Sequence, residues 1–186
     1  MSLFEAAAAV VGIASVFWST RQNVLAWPAS LLNNGMYGVF FFEQKLYALM
    51  ALQGFFGAIA VYGWYEWLFG GEAKSELKVS RTRPALGGLL VALAVAASAG
   101  LILLLRQTRD AAPLVDGALT AASLIAQWMM ARKLVECWPV WIGVNLVSVP
   151  FFFHEADYPT AVQYTVFLFL AVSGWRQWKA SLALGE

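Results

Sequence analysis

Seven apolar runs, each about 20 residues long, divide this 186-residue chain at 3–20, 24–42, 46–69, 85–105, 114–131, 136–153 and 159–178. A run of that length, wound as a helix, crosses the roughly 30 Å hydrocarbon core of a bilayer and satisfies its backbone polar groups internally. Few other folds can use so many such runs in so short a chain. Hydrophobic residues make up 61% of the sequence and charged residues 12%, against about 45–50% and 25% in soluble domains. Too little polar surface remains to cover a small soluble globule. The reading is an all-α integral membrane protein whose solvent is a lipid bilayer. An ordinary soluble enzyme, a nucleic-acid binder and a disordered chain are excluded, the net charge being only +1.

Catalytic motifs are absent. One cysteine, Cys137, cannot form an internal disulfide, and one histidine, His154, leaves little for metal or triad chemistry. No P-loop, dinucleotide fingerprint, zinc-ligand spacing or nucleophile elbow occurs, so no catalytic residue, metal or cofactor is expected. The opening Met1-Ser2-Leu3-Phe4-Glu5 carries an acid in place of a secretory signal's basic region. Pro28, Pro84, Pro139 and Pro159 fall near the starts of runs, where a missing N–H costs nothing. Pro150 lies inside the sixth run and is expected to kink or shorten it.

Lysine and arginine set the expected orientation. Lys45, Arg106 and Arg109 fall on the side of the N-terminus. Arg21, Lys74, Lys78, Arg81, Arg83, Arg132, Lys133, Arg176 and Lys179 fall on the other. That asymmetry places the N-terminus outside and the C-terminus in the cytoplasm. Only the polar stretch Gly70–Pro84 is long enough to form a substantial loop, and it lies on the basic side.

The chain also repeats itself at an offset of 111 residues. Between 27–67 and 138–178, 13 of 41 positions are identical, among them Trp27/Trp138, Pro28/Pro139, Asn34/Asn145, Gly63/Gly174, Trp64/Trp175 and Trp67/Trp178. Shared hydrophobicity aligns phenylalanines, but not an asparagine pair or a common Gly-Trp-x-x-Trp ending. Upstream, Arg21/Arg132 and the acids Glu5/Asp116 continue the match. Equivalent helices are four spans apart, so the two repeats run parallel and need a linker helix between them. The expected organisation is a first three-helix repeat at 1–69, loop and linker helix at 70–113, a second repeat at 114–178 and a tail at 179–186. No aromatic residue occurs from Gly70 to Gln127, and Ser98 is the linker helix's single polar side chain, so this helix reads as lipid-facing.

Trp138, Trp141 and Asn145 stand at i, i+3 and i+7 on one helix face; Trp27, Ser30 and Asn34 repeat the spacing. A quasi-two-fold axis would bring Asn34 and Asn145 face to face near mid-membrane. Thr120, Ser123 and Gln127 form a polar stripe on the fifth run, and Gln53 and Gln163 add amides from the third and seventh. Polar side chains at membrane depth face the bundle interior and can mark a substrate path. Ser and Thr there also bond their own backbone, and tryptophans at run ends collect at the interface. Trp64, Trp67, Trp175 and Trp178 read as such a belt, while Trp141 sits deeper. Rings for stacking and amides for orientation suit a flat polar aromatic ligand, with added cation–π attraction for a cationic one. Glu5, Glu66, Asp116 and Glu136 all sit at run ends, so no buried proton relay is expected and the transport mode reads as uniport. A non-transporting membrane scaffold or sensor is the other class considered; it would not need amides converging from several helices.

These residues resemble the PnuC-type bacterial vitamin transporters. The resemblance runs from Trp18 to Trp178 and is carried by Trp27-Pro28-x-Ser30-x-x-x-Asn34, Leu46-Tyr47-Ala48 with Leu52-Gln53, and Tyr62-Gly63-Trp64-Tyr65-x-Trp67. In the second half it is carried by Asp116, Ser123, Lys133, Glu136, Trp138-x-x-Trp141-x-x-x-Asn145 and Gly174-Trp175. It implies a 3+1+3 seven-helix fold and facilitated diffusion of a non-phosphorylated B-type vitamin, trapped by an intracellular kinase. Nicotinamide riboside is the first substrate it implies, thiamine the next and riboflavin a more distant one. It places the protein in the bacterial inner membrane, where a homo-oligomer is compatible with the reading. Trp138, Trp141 and Asn145 match the family's binding motif. The full expected site comprises these three with Asn34, Gln53, Gln127, Gln163, Ser30 and Ser123.

Overall fold

The computed structural model describes residues 3–107 and 112–185. They form α1 (Leu3–Thr20), α2 (Ala26–Glu43), α3 (Tyr47–Phe69), α4 (Pro84–Leu105), α5 (Pro113–Ala131), α6 (Cys137–His154) and α7 (Tyr158–Gly185), with a short 3-10 turn at Glu72–Lys74. Each helix matches one apolar run to within a few residues, except that α7 continues through the stretch read as a tail. α6 runs through Pro150 to His154. Arg109, one of the cations expected on the N-terminal side, lies outside the described residues.

The four short connections use one device, twice per repeat. Gln22 and Lys133, 111 residues apart, both adopt the left-handed conformation (φ 56° and 48°), as do Lys45 and Ala156 (both 58°). Each lets a following N–H reach back to the preceding helix: Asn23 to the Trp18 carbonyl, Leu134 to Met129, Leu46 to Phe41 and Asp157 to Phe152, at 2.8–3.0 Å. These bonds satisfy carbonyls that a helix end would otherwise orphan. They offset a conformational cost of about 1–2 kcal/mol at each non-glycine residue.

α1, α3, α4, α5 and α6 are each long and apolar enough to cross a membrane on their own composition. α2 and α7 are not, because they carry polar side chains such as Asn33, Asn34, Gln163 and Thr165 along their length. Their burden is met by packing: α2 lies against α1 and α3, and α7 against α1 and α6. In α4 only Leu90 is buried, and Leu89, Val91, Leu93, Val95, Leu103 and Leu104 face outward, as a lipid-facing helix requires. α4 is nevertheless docked on α5: a β-carbon at Gly117 would stand 2.8 Å from the Ile102 side chain.

The core concentrates four tryptophans at the end of the bundle that carries the 70–83 loop. Trp27 meets Trp67 edge-on at 5.2 Å and 87°, and Trp138 meets Trp178 at 5.3 Å and 89°. Trp67 and Trp178 join the two halves at 5.9 Å. The Trp67 indole N–H donates to the Met130 carbonyl at 3.1 Å, and that of Trp178 to Ser19 at 3.0 Å. Ser19 and Met130 are themselves 111 residues apart, so each repeat caps the other in the same way. Trp67 and Trp178 are therefore 2% and 0% exposed and do not belong to the interfacial belt expected of them; Trp64 and Trp175, each 37% exposed, do face outward. The physical reason is that a carbonyl at the end of a helix in the other repeat accepts each buried N–H.

Candidate functional site

The two repeats enclose a cavity of about 370 Å3, near the lower end of the roughly 300–1,000 Å3 typical of small-molecule sites. Its floor is Trp27 and Trp138, which separate it from Trp67 and Trp178 behind them. α6 supplies the most continuous wall: Trp138, Trp141, Asn145, Ser148 and Phe152 follow one another at helical spacing. α5 adds Asp116, Thr120, Ser123 and Gln127, again one face. α7 contributes Tyr164 and Phe167, α3 Gln53 and Phe56, α2 Ser30 and Asn33, and α1 Gly12, Ser15 and Ser19. Ser15 and Ser19 are committed to the backbone, donating to the Ala26 and Ser15 carbonyls at 3.0 Å.

Seven of the nine expected site residues line this cavity: Trp138, Trp141, Asn145, Gln53, Gln127, Ser30 and Ser123. Asn34 and Gln163 do not. Asn34 lies in a second, outer groove between α2 and α3 with Gly35, Gly38, Gly54 and Gly57, so it does not face Asn145 across the axis. Its neighbour Asn33 takes the inner place, donating to the Ala8 carbonyl at 2.6 Å and resting 3.3 Å from where a Gly12 β-carbon would be. Gly12 is the cause: the equivalent residue in the second repeat is Ser123, which leaves no such berth. Gln163 instead lies near the Tyr37 phenol. Gly54 and Gly57, which suggest close helix approach, have open space at their β-positions.

Sequence reasoning missed Asn33, Ser148, Tyr164 and Asp116 as lining residues. Ser148 was findable, since it continues the spacing of Trp138, Trp141 and Asn145. Asp116 reads as an interfacial acid at a run end, but α5 begins at Pro113 and turns its first acidic residue to the cavity.

Electrostatically the wall is unusual. Among the described lining residues Asp116 is the single carboxylate, and there is no lysine, arginine or histidine. Three buried polar atoms on the wall have no protein partner: the indole nitrogens of Trp27 and Trp138 and the Ser148 hydroxyl. Each such group costs about 1–3 kcal/mol when left unpaired. The cavity thus holds spare donors, amides and aromatic faces in a low-dielectric setting.

Comparison with known proteins bears on this arrangement. The family model described as "Nicotinamide mononucleotide transporter" matches residues 2–180. The chain belongs to this family. Members named nicotinamide riboside transporter PnuC include that of Escherichia coli, 27% identical over 96% of this chain and 85% of that one. The riboflavin/roseoflavin transporter RibM of Streptomyces davaonensis is 26% identical over 91% of this chain and 81% of its own. A crystal structure of the vitamin B3 transporter PnuC superposes with a TM-score of 0.79 at 23% identity, covering all of this chain and 84% of that one. The fold is thus that of this family, seven helices in a membrane, and the chain is a membrane transporter rather than an enzyme.

Proposed function

We propose that this transporter carries nicotinamide riboside by facilitated diffusion, with thiamine as the second candidate. The observation that carries the reading is the α6 face of Trp138, Trp141 and Asn145 opposite Gln127 and Ser123, in a cavity with no lysine or arginine among its described lining residues. A phosphate ester brings at least one negative charge that must be paired when desolvated, and none of the described lining residues offers a cation to pair it. The lack of lysine and arginine among the described lining residues favours the riboside named for the relatives over the mononucleotide in the family's description. Trp141 offers a face for stacking, and the amides of Gln53, Gln127 and Asn145 suit a carboxamide and ribosyl hydroxyls. An intracellular kinase that phosphorylates the substrate would trap it. The excess of basic residues at the loop end supports a cytoplasmic C-terminus in the bacterial inner membrane.

Trp141→Ala is expected to weaken riboside binding by about 1–3 kcal/mol, the scale of a lost stacking contact. Asn145→Leu is expected to cost a similar amount by stranding polar ligand atoms. Calorimetry on detergent-purified protein measures both. Parental affinity in both variants, for nicotinamide riboside and thiamine alike, would move the site elsewhere.

Uptake into proteoliposomes at clamped membrane potential is expected to stop at equal concentrations and to ignore imposed pH or sodium gradients. Asp116 lines the cavity wall, but among the described lining residues no second carboxylate and no histidine, lysine or arginine completes a relay. Accumulation driven by either gradient contradicts uniport. The clamp is needed because a cation crossing the membrane responds to voltage, about 2.3 kcal/mol per 100 mV.

A further inference from the structure

The first repeat places an amide on the cavity wall in a fixed orientation. Asn33 of α2 lines the cavity, and its Nδ2 donates to the Ala8 carbonyl of α1 at 2.6 Å. A carbonyl can only accept, so the nitrogen of this amide must face α1, and Oδ1 is the atom left over. Oδ1 takes no hydrogen bond from any described residue. Gly12 permits the arrangement, because a β-carbon there would stand 3.3 Å from Nδ2 and 3.5 Å from Oδ1. The repeat-mate of Asn33 is Val144, which also lines the cavity and has no polar side-chain atom. The spare polar groups elsewhere on the wall are of other kinds. The Trp27 and Trp138 indole N–H groups are unpartnered but can only donate. The unpartnered Ser148 hydroxyl, on a residue 1% exposed, turns freely between donor and acceptor. Asn33 thus adds an acceptor of set direction, with no counterpart at the equivalent place across the quasi-two-fold axis.

We propose that Asn33 is a specificity-determining residue of the transport site, its Oδ1 accepting a hydrogen bond from an amide or amino N–H or a hydroxyl of the ligand. This inference rests on the cavity holding the substrate. It deepens the reading of a riboside, whose carboxamide N–H and ribosyl hydroxyls are donors of this class. The physical basis is the cost of a desolvated polar atom without a partner. A ligand with a donor at this place pairs Oδ1, while an isostere with a methyl group or a hydrogen there strands it. Rotating the amide does not relieve the loss, because it would turn Oδ1 onto the Ala8 carbonyl and break the 2.6 Å bond. With valine at the equivalent position, a ligand turned about the axis finds no acceptor. Asn33 therefore also fixes which way round the ligand lies.

Calorimetry on detergent-purified protein tests this with isosteres that each lack one donor. For nicotinamide riboside they are 3-acetylpyridine riboside, in which a methyl group replaces the carboxamide nitrogen, and the 2′-, 3′- and 5′-deoxyribosides. For thiamine they are the analogues without the amino group and without the hydroxyl. In the parent, the analogue missing the donor that Asn33 reads should bind about tenfold more weakly than the vitamin. Asn33→Leu should weaken the vitamin about tenfold and leave that analogue within about twofold, the non-additivity expected of a direct pair. Gly12→Ala, which keeps Asn33 but crowds its berth, should act on the same pair of ligands in the same direction by a smaller factor, and it carries the test if Asn33→Leu does not fold. Equal loss for the vitamin and every analogue shows a structural role and overturns the proposal, as does parental affinity for the vitamin in both variants. A parent that binds thiamine and refuses the riboside defeats the riboside reading alone, since the Asn33 comparison then runs on the thiamine analogues. A parent that binds neither vitamin overturns both.

Discussion

Gly174→Ala should cost this protein both stability and ligand binding, although it adds a single methyl group. The new β-carbon would stand 2.5–2.6 Å from three atoms of the Trp138 ring, well inside van der Waals contact. The ring cannot retreat, because it is 0% exposed and Trp178 meets it edge-on at 5.3 Å. Overpacking of a filled core costs about 1–3 kcal/mol. The one soft direction is the cavity, so any relief displaces Trp138 from the floor and changes the site. Gly63 faces Trp27 in the same way in the first repeat, and Gly63→Ala should behave alike. Gly143→Ala is the control. It also lies in a helix of the second repeat, but has nothing within 4 Å of the added carbon. There alanine should be neutral or gain up to about 1 kcal/mol of helix propensity. Thermal unfolding in detergent, paired with calorimetric affinity, separates the cases. Parental stability and affinity in Gly174→Ala would show that the glycine–tryptophan contact is not tight.

That contact illustrates which parts of the molecule can be read from residues alone. Helix number and extent follow from apolar run length, because the bilayer leaves the backbone no alternative. The second repeat's half of the site also follows, since Trp138, Trp141 and Asn145 share a face with no local rival. The first repeat's half does not. Asn33 and Asn34 are adjacent, and the choice between them is made by Gly12 on another helix, a tertiary fact with no local trace. Trp67 and Trp64 both occupy the last turns of α3; only the position of the Met130 carbonyl decides that one is buried and the other faces lipid. Asp116 shows the same limit, for a run end marks the membrane boundary only approximately.

Tethering the two repeats at the tryptophan end should abolish transport while leaving binding intact. Everything that closes this end joins one repeat to the other. Trp67 of α3 bonds the end of α5, and Trp178 of α7 bonds the end of α1. Gln22 reaches Ser181 at 2.8 Å. The α3–α5 side is the more heavily held: Arg132 pairs with Glu66 at 2.9 Å and bonds the Tyr62 hydroxyl at 3.1 Å. The loop after α3 is strapped to the α5–α6 turn by mutual bonds of Ser80 with Lys133 and Val135, and by Thr82 to Glu136. The equivalent positions across the axis, Arg21 and Gln177, make no such pair; Arg21 lies over the Phe17 ring and Gln177 bonds Ser173. Access from this end therefore requires the halves to part at Trp67 and Trp178 and the Arg132–Glu66 latch to open. Parallel-repeat transporters alternate access by moving one bundle against the other about a fixed site. Glu66→Cys with Arg132→Cys, in a Cys137→Ala background, places two thiols across the latch for a short, reducible bifunctional reagent. With the link in place, uptake into proteoliposomes should fall to that of empty vesicles, and calorimetric affinity in detergent should stay near that of the uncrosslinked variant. Reduction of the link should restore uptake. A linked protein that still transports at the parental rate would mean that the substrate leaves by a route that does not part the tryptophans.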